Sequence, residues 1–155
     1  MAQPPKDKPK PPLRVRALRL LARREHTRDE LERRLVPHAE DPAEVGRLLD
    51  EFAQHGWFSE ERAVEQVLHA RRGKFGSRRI RQELVAKGVD AGRVAAAMTG
   101  LKASEDEALR VVWRRKFTQA PRGAAERARQ IRFLQGRGFA LEAIVRVLKQ
   151  KDDDE

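Results

Sequence analysis

Residues 73–89, GKFGSRRIRQELVAKGV, hold a turn, a short basic helix and the stop that ends it. Gly73 and Gly76 bracket the turn, and Ser77 is placed to cap the following helix by accepting hydrogen bonds from its free amides. Ile80 and Leu84, four apart, make a buried stripe. Lys87 puts a cation in the last turn, and Gly88 supplies the left-handed stop. On this wheel Arg78, Gln82 and Val85 face away from the stripe.

The next apolar set after Leu84 is Val94, Ala97, Met98 and Leu101, a 3.6-period face entered at Asp90. Ten residues separate Leu84 from Val94, Leu35 from Val45, and Leu134 from Ile144, and each pair opens onto a similar face. Val45 to Val94 is 94 − 45 = 49 residues and Val94 to Ile144 is 144 − 94 = 50, a constancy that unrelated helices have no reason to keep. The pattern predicts an all-α chain of three tandem three-helix repeats, spanning 13–57, 58–102 and 103–151. Each repeat owns its own Leu/Val stripe, so contacts are expected between sequence neighbours and the outline is expected to be extended.

Composition agrees with small cores. The 155 residues are 37% charged and 39% hydrophobic, too little apolar material for one thick core. With no cysteine there is no disulfide, thiolate metal site or cysteine nucleophile. His26, His38, His55 and His69 show no metal-ligand spacing, so neither metal nor cofactor is expected. The apolar runs are far shorter than the roughly 20 residues that cross a bilayer, and the N-terminus lacks a secretory core. A cytosolic protein without a membrane partner is the expectation. The net charge of +10 makes nucleic acid, or a protein that carries it, the natural partner.

Residues 1–12 hold five of the eight prolines and read as a disordered basic arm. Leu13 to Arg24 forms the first helix. Thr27 and Glu30 have capping-box spacing ahead of Leu31 and Leu35, Pro37 closes that helix, and Asp41-Pro42 opens the third, which ends at His55-Gly56. Ser59-Glu60-Glu61 and Ser104-Glu105-Asp106 are matching helix starts, and both tryptophans, Trp57 and Trp113, are expected in cores. Thr118 to Gly123 is a looser connection before a helix around Ile131 to Leu134. Residues 152–155 are expected to be a disordered acidic tail.

No stretch alternates as a strand does, and the nucleotide-cradling GxxxxGK[ST] is absent. Gly73-Lys74-Phe75-Gly76 matches the GxxG of a KH clamp, but that fold needs strands around the loop. Paired carboxylates such as Glu60-Glu61 and Asp50-Glu51 lie at helix starts or solvent faces with no companion nucleophile, so no catalytic residue is nominated. A helix-turn-helix reader would present each repeat's third helix to DNA. In the second repeat that helix offers Gly92 to Thr99 with almost no Arg, Asn or Gln, and in the first it carries Glu44, Asp50 and Glu51. The cations lie elsewhere: Arg71, Arg72, Lys74, Arg78, Arg79, Arg81 and Lys87 in the second repeat, and Arg114, Arg115, Lys116, Arg127, Arg129, Arg132 and Arg137 in the third. These are the candidate partner and DNA contacts.

Gly76 to Val89 resembles the central signature of the RecX family, G-x-x-x-I-x-x-E-L-x-x-K-G-[IV]. Thr27 to Leu35 is similar to that family's S/T-x-x-E-L-x-x-[KR]-L, and Arg132-Phe133-Leu134 with Arg137-Gly138-Phe139 is similar to its RFL-x-x-RGF phrase. The resemblance covers residues 13–150. It departs at Arg62, where the family places an aromatic, and at Thr118, where a glycine often stands. It implies a monomeric regulator of the RecA recombinase, a curved array of three-helix units lying in the groove of the RecA filament on single- or double-stranded DNA. It further implies inhibition of RecA's ATPase, coprotease and strand-exchange activities in DNA repair and the SOS response, with no catalytic residues. A helix-turn-helix DNA-binding regulator acting without RecA, and a basic scaffold for RNA, are the alternatives.

Overall fold

The computed structural model describes residues 2–3 and 9–154. Met1, residues 4–8 and Glu155 lie outside the described residues, and with them much of the expected arm and the last residue of the expected tail. Among the described residues every regular element is helical. The chain divides into two compact units, residues 1–60 and 61–155.

The first unit packs α1 (Leu13–Arg23) and α3 (Pro42–Gln54) against α2 (Arg28–Leu35), which runs into one 3-10 turn (Val36–His38). Thr27 and Glu30 form the capping box: the Glu30 amide donates to Thr27 Oγ1 and the Thr27 amide donates to Glu30 Oε1, each at 3.2 Å. Asp41 accepts from the Ala43 amide at 3.0 Å, and Pro42 presets the first turn of α3. The helix stops at Gly56, whose φ of +67° lets the Trp57 amide reach back to the Phe52 carbonyl at 3.0 Å. Ala17, Leu31, Leu35, Val45, Leu49, Phe52 and Phe58 fill this core. Trp57 departs from its expected core position. It is 40% exposed, edge-on to Phe52 and stacked on His55, because Phe52 and Phe58 already occupy the interior beside it.

The second unit holds two cores. Helices α4 (Glu60–Arg71), α5 (Ser77–Ala86) and α6 (Ala91–Lys102) enclose Val64, Val67, Leu68, Ile80, Leu84, Val89, Val94, Ala97 and Leu101. Helices α7 (Glu105–Lys116), α8 (Ala124–Gly136) and α9 (Leu141–Asp153) enclose Leu109, Val112, Trp113, Leu134, Phe139, Ala143, Ile144, Val147 and Leu148. The ten-residue pairs read from the sequence are all buried: Leu35 with Val45, Leu84 with Val94, and Leu134 with Ile144. Gly88 and Gly138 end α5 and α8 alike, with the Val89 amide on the Leu84 carbonyl and the Phe139 amide on the Leu134 carbonyl.

Three local expectations are corrected. Ser77 is not the cap of α5; Gly76 takes that place without a side-chain hydrogen bond, and the Ser77 hydroxyl donates to Glu105 Oε1 at 2.8 Å. The α5 amides are met by backbone instead, the Gly76 N–H by the Arg137 carbonyl at 2.7 Å and the Arg78 N–H by the Gly138 carbonyl at 3.1 Å. Ser104 likewise makes no side-chain cap for α7; its hydroxyl donates to the Leu101 carbonyl. The acidic run is helical through Asp153, where it continues α9, and Asp152 pairs with Arg127 on α8 at 3.5 Å.

Candidate nucleic-acid and partner interface

The backbone contact between the start of α5 and the α8–α9 turn draws one cluster of cations together. A cleft of about 290 Å³ opens there, lined by Lys74, Phe75, Val112, Arg115, Lys116, Phe133 and Arg137. Each lining residue arrives for a local reason. Gly73, at φ +77°, turns the chain after α4 and leaves Lys74 exposed and Phe75 half-buried beside the second core. Arg115 and Lys116 are the exposed last turn of α7, the end at which the helix dipole favours cations. Arg137 is the residue after α8, held in place because its carbonyl accepts from Gly76.

Aromatic rings hold the cations. The Arg137 guanidinium lies 5.5 Å from the centre of the Phe75 ring and 5.2 Å from that of Phe133, so one side chain spans rings from two repeats. Arg79 sits over Phe75 at 4.0 Å, and Lys116 over Phe133 at 5.6 Å. These are cation–π distances, where the negative ring face attracts the charge. Phe133 is itself braced edge-on by Phe117 at 5.5 Å. Among the described residues no acidic side chain lines the cleft.

The nominated cations separate into kinds. Arg71 is bound to Glu83 through two hydrogen bonds of 2.9 and 3.3 Å, and the pair holds the arginine's proton more tightly than usual. Arg114 pairs with Glu107, and Arg127 with Asp152. Lys87 is half-buried in the α5 stop. Lys74, Arg79, Arg115, Lys116 and Arg137 gather at the cleft, none with a carboxylate partner among the described residues. Arg72, Arg78, Arg81, Arg129 and Arg132 are exposed outside its lining. Phe75, Val112 and Phe133 belong to the site but were not nominated, since apolar residues at helical spacing read as core.

A second basic hollow, about 240 Å³, lies in the first unit between Arg16, Arg19, Leu20, Arg23, Arg34, Leu35 and His38. The sequence concealed it, because its arginines are spread over α1 and α2 without a run. Among the described residues no group of His, Cys, Asp or Glu could hold a metal ion, and no helix is long and apolar enough to cross a membrane.

Residues 59–98 match the family model for the second three-helix domain of RecX, and residues 104–148 match that for the third. The chain belongs to the RecX family. It is 46% identical over 148 residues to the regulatory protein RecX of Leptothrix cholodnii, covering 96% of this chain and 94% of that protein. It is 44% identical over 144 residues to that of Chromobacterium violaceum, covering 92% and 93%. The crystal structure of RecX from Lactobacillus salivarius superposes with a TM-score of 0.70 over 90% of this chain and 94% of that one, at 16% identity, and so shares the fold. The two matched RecX domains correspond to α4–α6 and α7–α9, whose junction carries the cleft. These relatives carry the name regulatory protein, and the cleft is an assembly of charge and aromatic surface.

Proposed function

We propose that this chain binds RecA filaments on DNA and restrains RecA's ATP hydrolysis, coprotease and strand-exchange activities in DNA repair and the SOS response. It does so as a cytoplasmic monomer without chemistry of its own, through repeats spanning 13–57, 58–102 and 103–151. The observation that carries this reading is the family membership over nearly the whole chain. The cleft adds support, because cations without internal partners attract a polyanionic filament. The helix-turn-helix alternative, DNA reading without RecA, is disfavoured by α6, which carries no Asn or Gln and whose one arginine, Arg93, is held by Glu61 and Asp90. The test is RecA's DNA-dependent ATPase with this protein present below stoichiometry. Restraint at that ratio is expected; full RecA activity together with tight binding to unrelated duplexes would favour the alternative.

A further inference from the structure

The cleft combines four features that bear on what it holds. Its cations come from different elements: Lys74 from the turn before α5, Arg115 and Lys116 from α7, and Arg137 from the end of α8. Ring faces already carry guanidinium or ammonium groups, Arg79 on Phe75, Lys116 on Phe133 and Arg137 beside both. Its floor is apolar, built from Val112 and the two phenylalanines. At about 290 Å³ it lies just under the roughly 300 Å³ at which small-molecule pockets begin, and every charge in its lining is positive.

Resting on the reading that this chain touches nucleic acid, we propose that the cleft is a clamp for the sugar-phosphate backbone of single-stranded nucleic acid, and that it reads no bases. Cations pinned on rings lose less freedom when they meet a phosphate than free side chains do. The same pinning leaves the rings poor platforms for stacking, which is how single-strand binders usually engage bases. An apolar floor suits a sugar, and a single strand can lay its sugar into a concave cleft. A duplex presents only the outer phosphate edge. Exposed cations continue beyond the cleft at Arg78 and Arg81 on α5 and at Arg129 and Arg132 on α8, more than one carboxylate-bearing peptide side chain would need. A repeating anion matches that spread.

Fluorescence anisotropy over a salt series tests this with a fluorescein-labelled oligodeoxythymidine, an abasic strand and a hairpin duplex of equal charge, and polyglutamate as competitor. The variant Arg115→Ala/Lys116→Ala removes two exposed cations and keeps the fold. It should bind oligodeoxythymidine about tenfold more weakly, with a salt slope shallower by about 1.4, two phosphates at about 0.7 each. The charge-matched control Arg47→Ala/Lys102→Ala, two exposed cations outside both basic hollows, should keep the wild-type slope. Phe133→Leu keeps every charge and should weaken binding with the slope unchanged. The abasic strand should bind as the oligodeoxythymidine does, and the duplex more weakly. Equal slopes in the double variant and the control, loss of binding to the abasic strand, equal duplex affinity, or polyglutamate competing charge for charge would each overturn the clamp. RecA ATPase measured on the same proteins separates the two readings. A wild type that restrains RecA while Arg115→Ala/Lys116→Ala binds strands normally loses only the clamp, and a clamp that behaves as stated without RecA restraint loses only the RecA reading.

Discussion

Gly76 and Gly138 meet backbone to backbone: a Cβ on Gly76 would fall 2.3 Å from the Gly138 carbonyl oxygen, and a Cβ on Gly138 would fall 2.5 Å from Cβ of Arg79. Neither position has room for any side chain, and Gly138 also needs its φ of +93°. The glycines let two amides at the start of α5 find the Arg137 and Gly138 carbonyls, so a helix end that lacks a side-chain cap is satisfied by the next repeat. This contact joins the second and third cores and sets Arg137 between Phe75 and Phe133.

Gly76→Ala should therefore destabilise the second unit by about 1–3 kcal/mol, the usual cost of forcing atoms into a packed site. Gly100→Ala is the contrast, since Gly100 lies inside α6 with nothing within 4 Å of an added Cβ. It should stabilise by about 0.5–1 kcal/mol through helix propensity. Urea unfolding of the two variants gives opposite signs; a shared sign would mean that the clasp at Gly76 is not closed in solution.

Leu84→Ala opens a cavity at a fully buried site in the second core and should cost about 2–5 kcal/mol. Arg78→Ala should be nearly neutral, because its side chain is exposed and only its backbone amide takes part in the clasp. Thermal melts of both variants check the assignment of faces on α5, and equal losses would show that the helix is rotated from its stated position.

How far the sequence was legible depended on whether a signal was local and periodic. Leu84, Val94, Leu134 and Ile144 announced three cores because helical spacing is a property of one segment at a time. The capping box at Thr27 and Glu30 was legible for the same reason. Ser77 was misread because its hydroxyl's partner, Glu105, and the Arg137 and Gly138 carbonyls that meet the neighbouring Gly76 and Arg78 amides all lie in another repeat. Gln130 was missed likewise. It stands between arginines in the sequence yet is buried, accepts from Trp113 Nε1 at 2.9 Å and donates to the Gln119 carbonyl at 3.2 Å, a partner set that no spacing reveals. The candidate cations were found as a population, but their division into paired and unpaired needed coordinates.

Acid should weaken the third core through Asp106. Its carboxylate accepts from Arg146 at 2.6 and 3.0 Å, tying α7 to α9, and that hydrogen bonding holds its pKa below the ordinary value despite opposing desolvation. A carboxyl whose folded pKa is depressed contributes stability above its unfolded value, about 3.9, and loses it as pH falls through the lower folded value. Asp106→Asn should therefore be less stable than wild type at neutral pH, with the gap closing as the pH drops below about 4. Parallel urea titrations across that range check it, and a gap independent of pH would show that the ion pair is not formed.

The paired and unpaired arginines should part company under mutation. Arg71 is held by Glu83 and lies 5.7 Å from the Phe75 ring centre, so its charge is engaged within the protein. Arg71→Ala should lower stability slightly, within the roughly 0–1 kcal/mol typical of an exposed ion pair, and leave the salt dependence of strand binding unchanged. Arg115 has no carboxylate partner among the described residues and stands at the exposed end of α7. Arg115→Ala should leave the melting temperature alone and make the salt slope shallower by about 0.7 for a single strand. The joint change of Arg72, Arg78 and Arg81 to Ala then measures the α5 face outside the cleft: a further drop in slope extends the phosphate track onto α5, whereas an unchanged slope with weaker restraint of RecA assigns those arginines to carboxylates of the filament. Should Arg71→Ala prove the variant that alters the slope, the Glu83 pair must open on binding, and the division of these cations by their partners in the free protein would not describe the bound one.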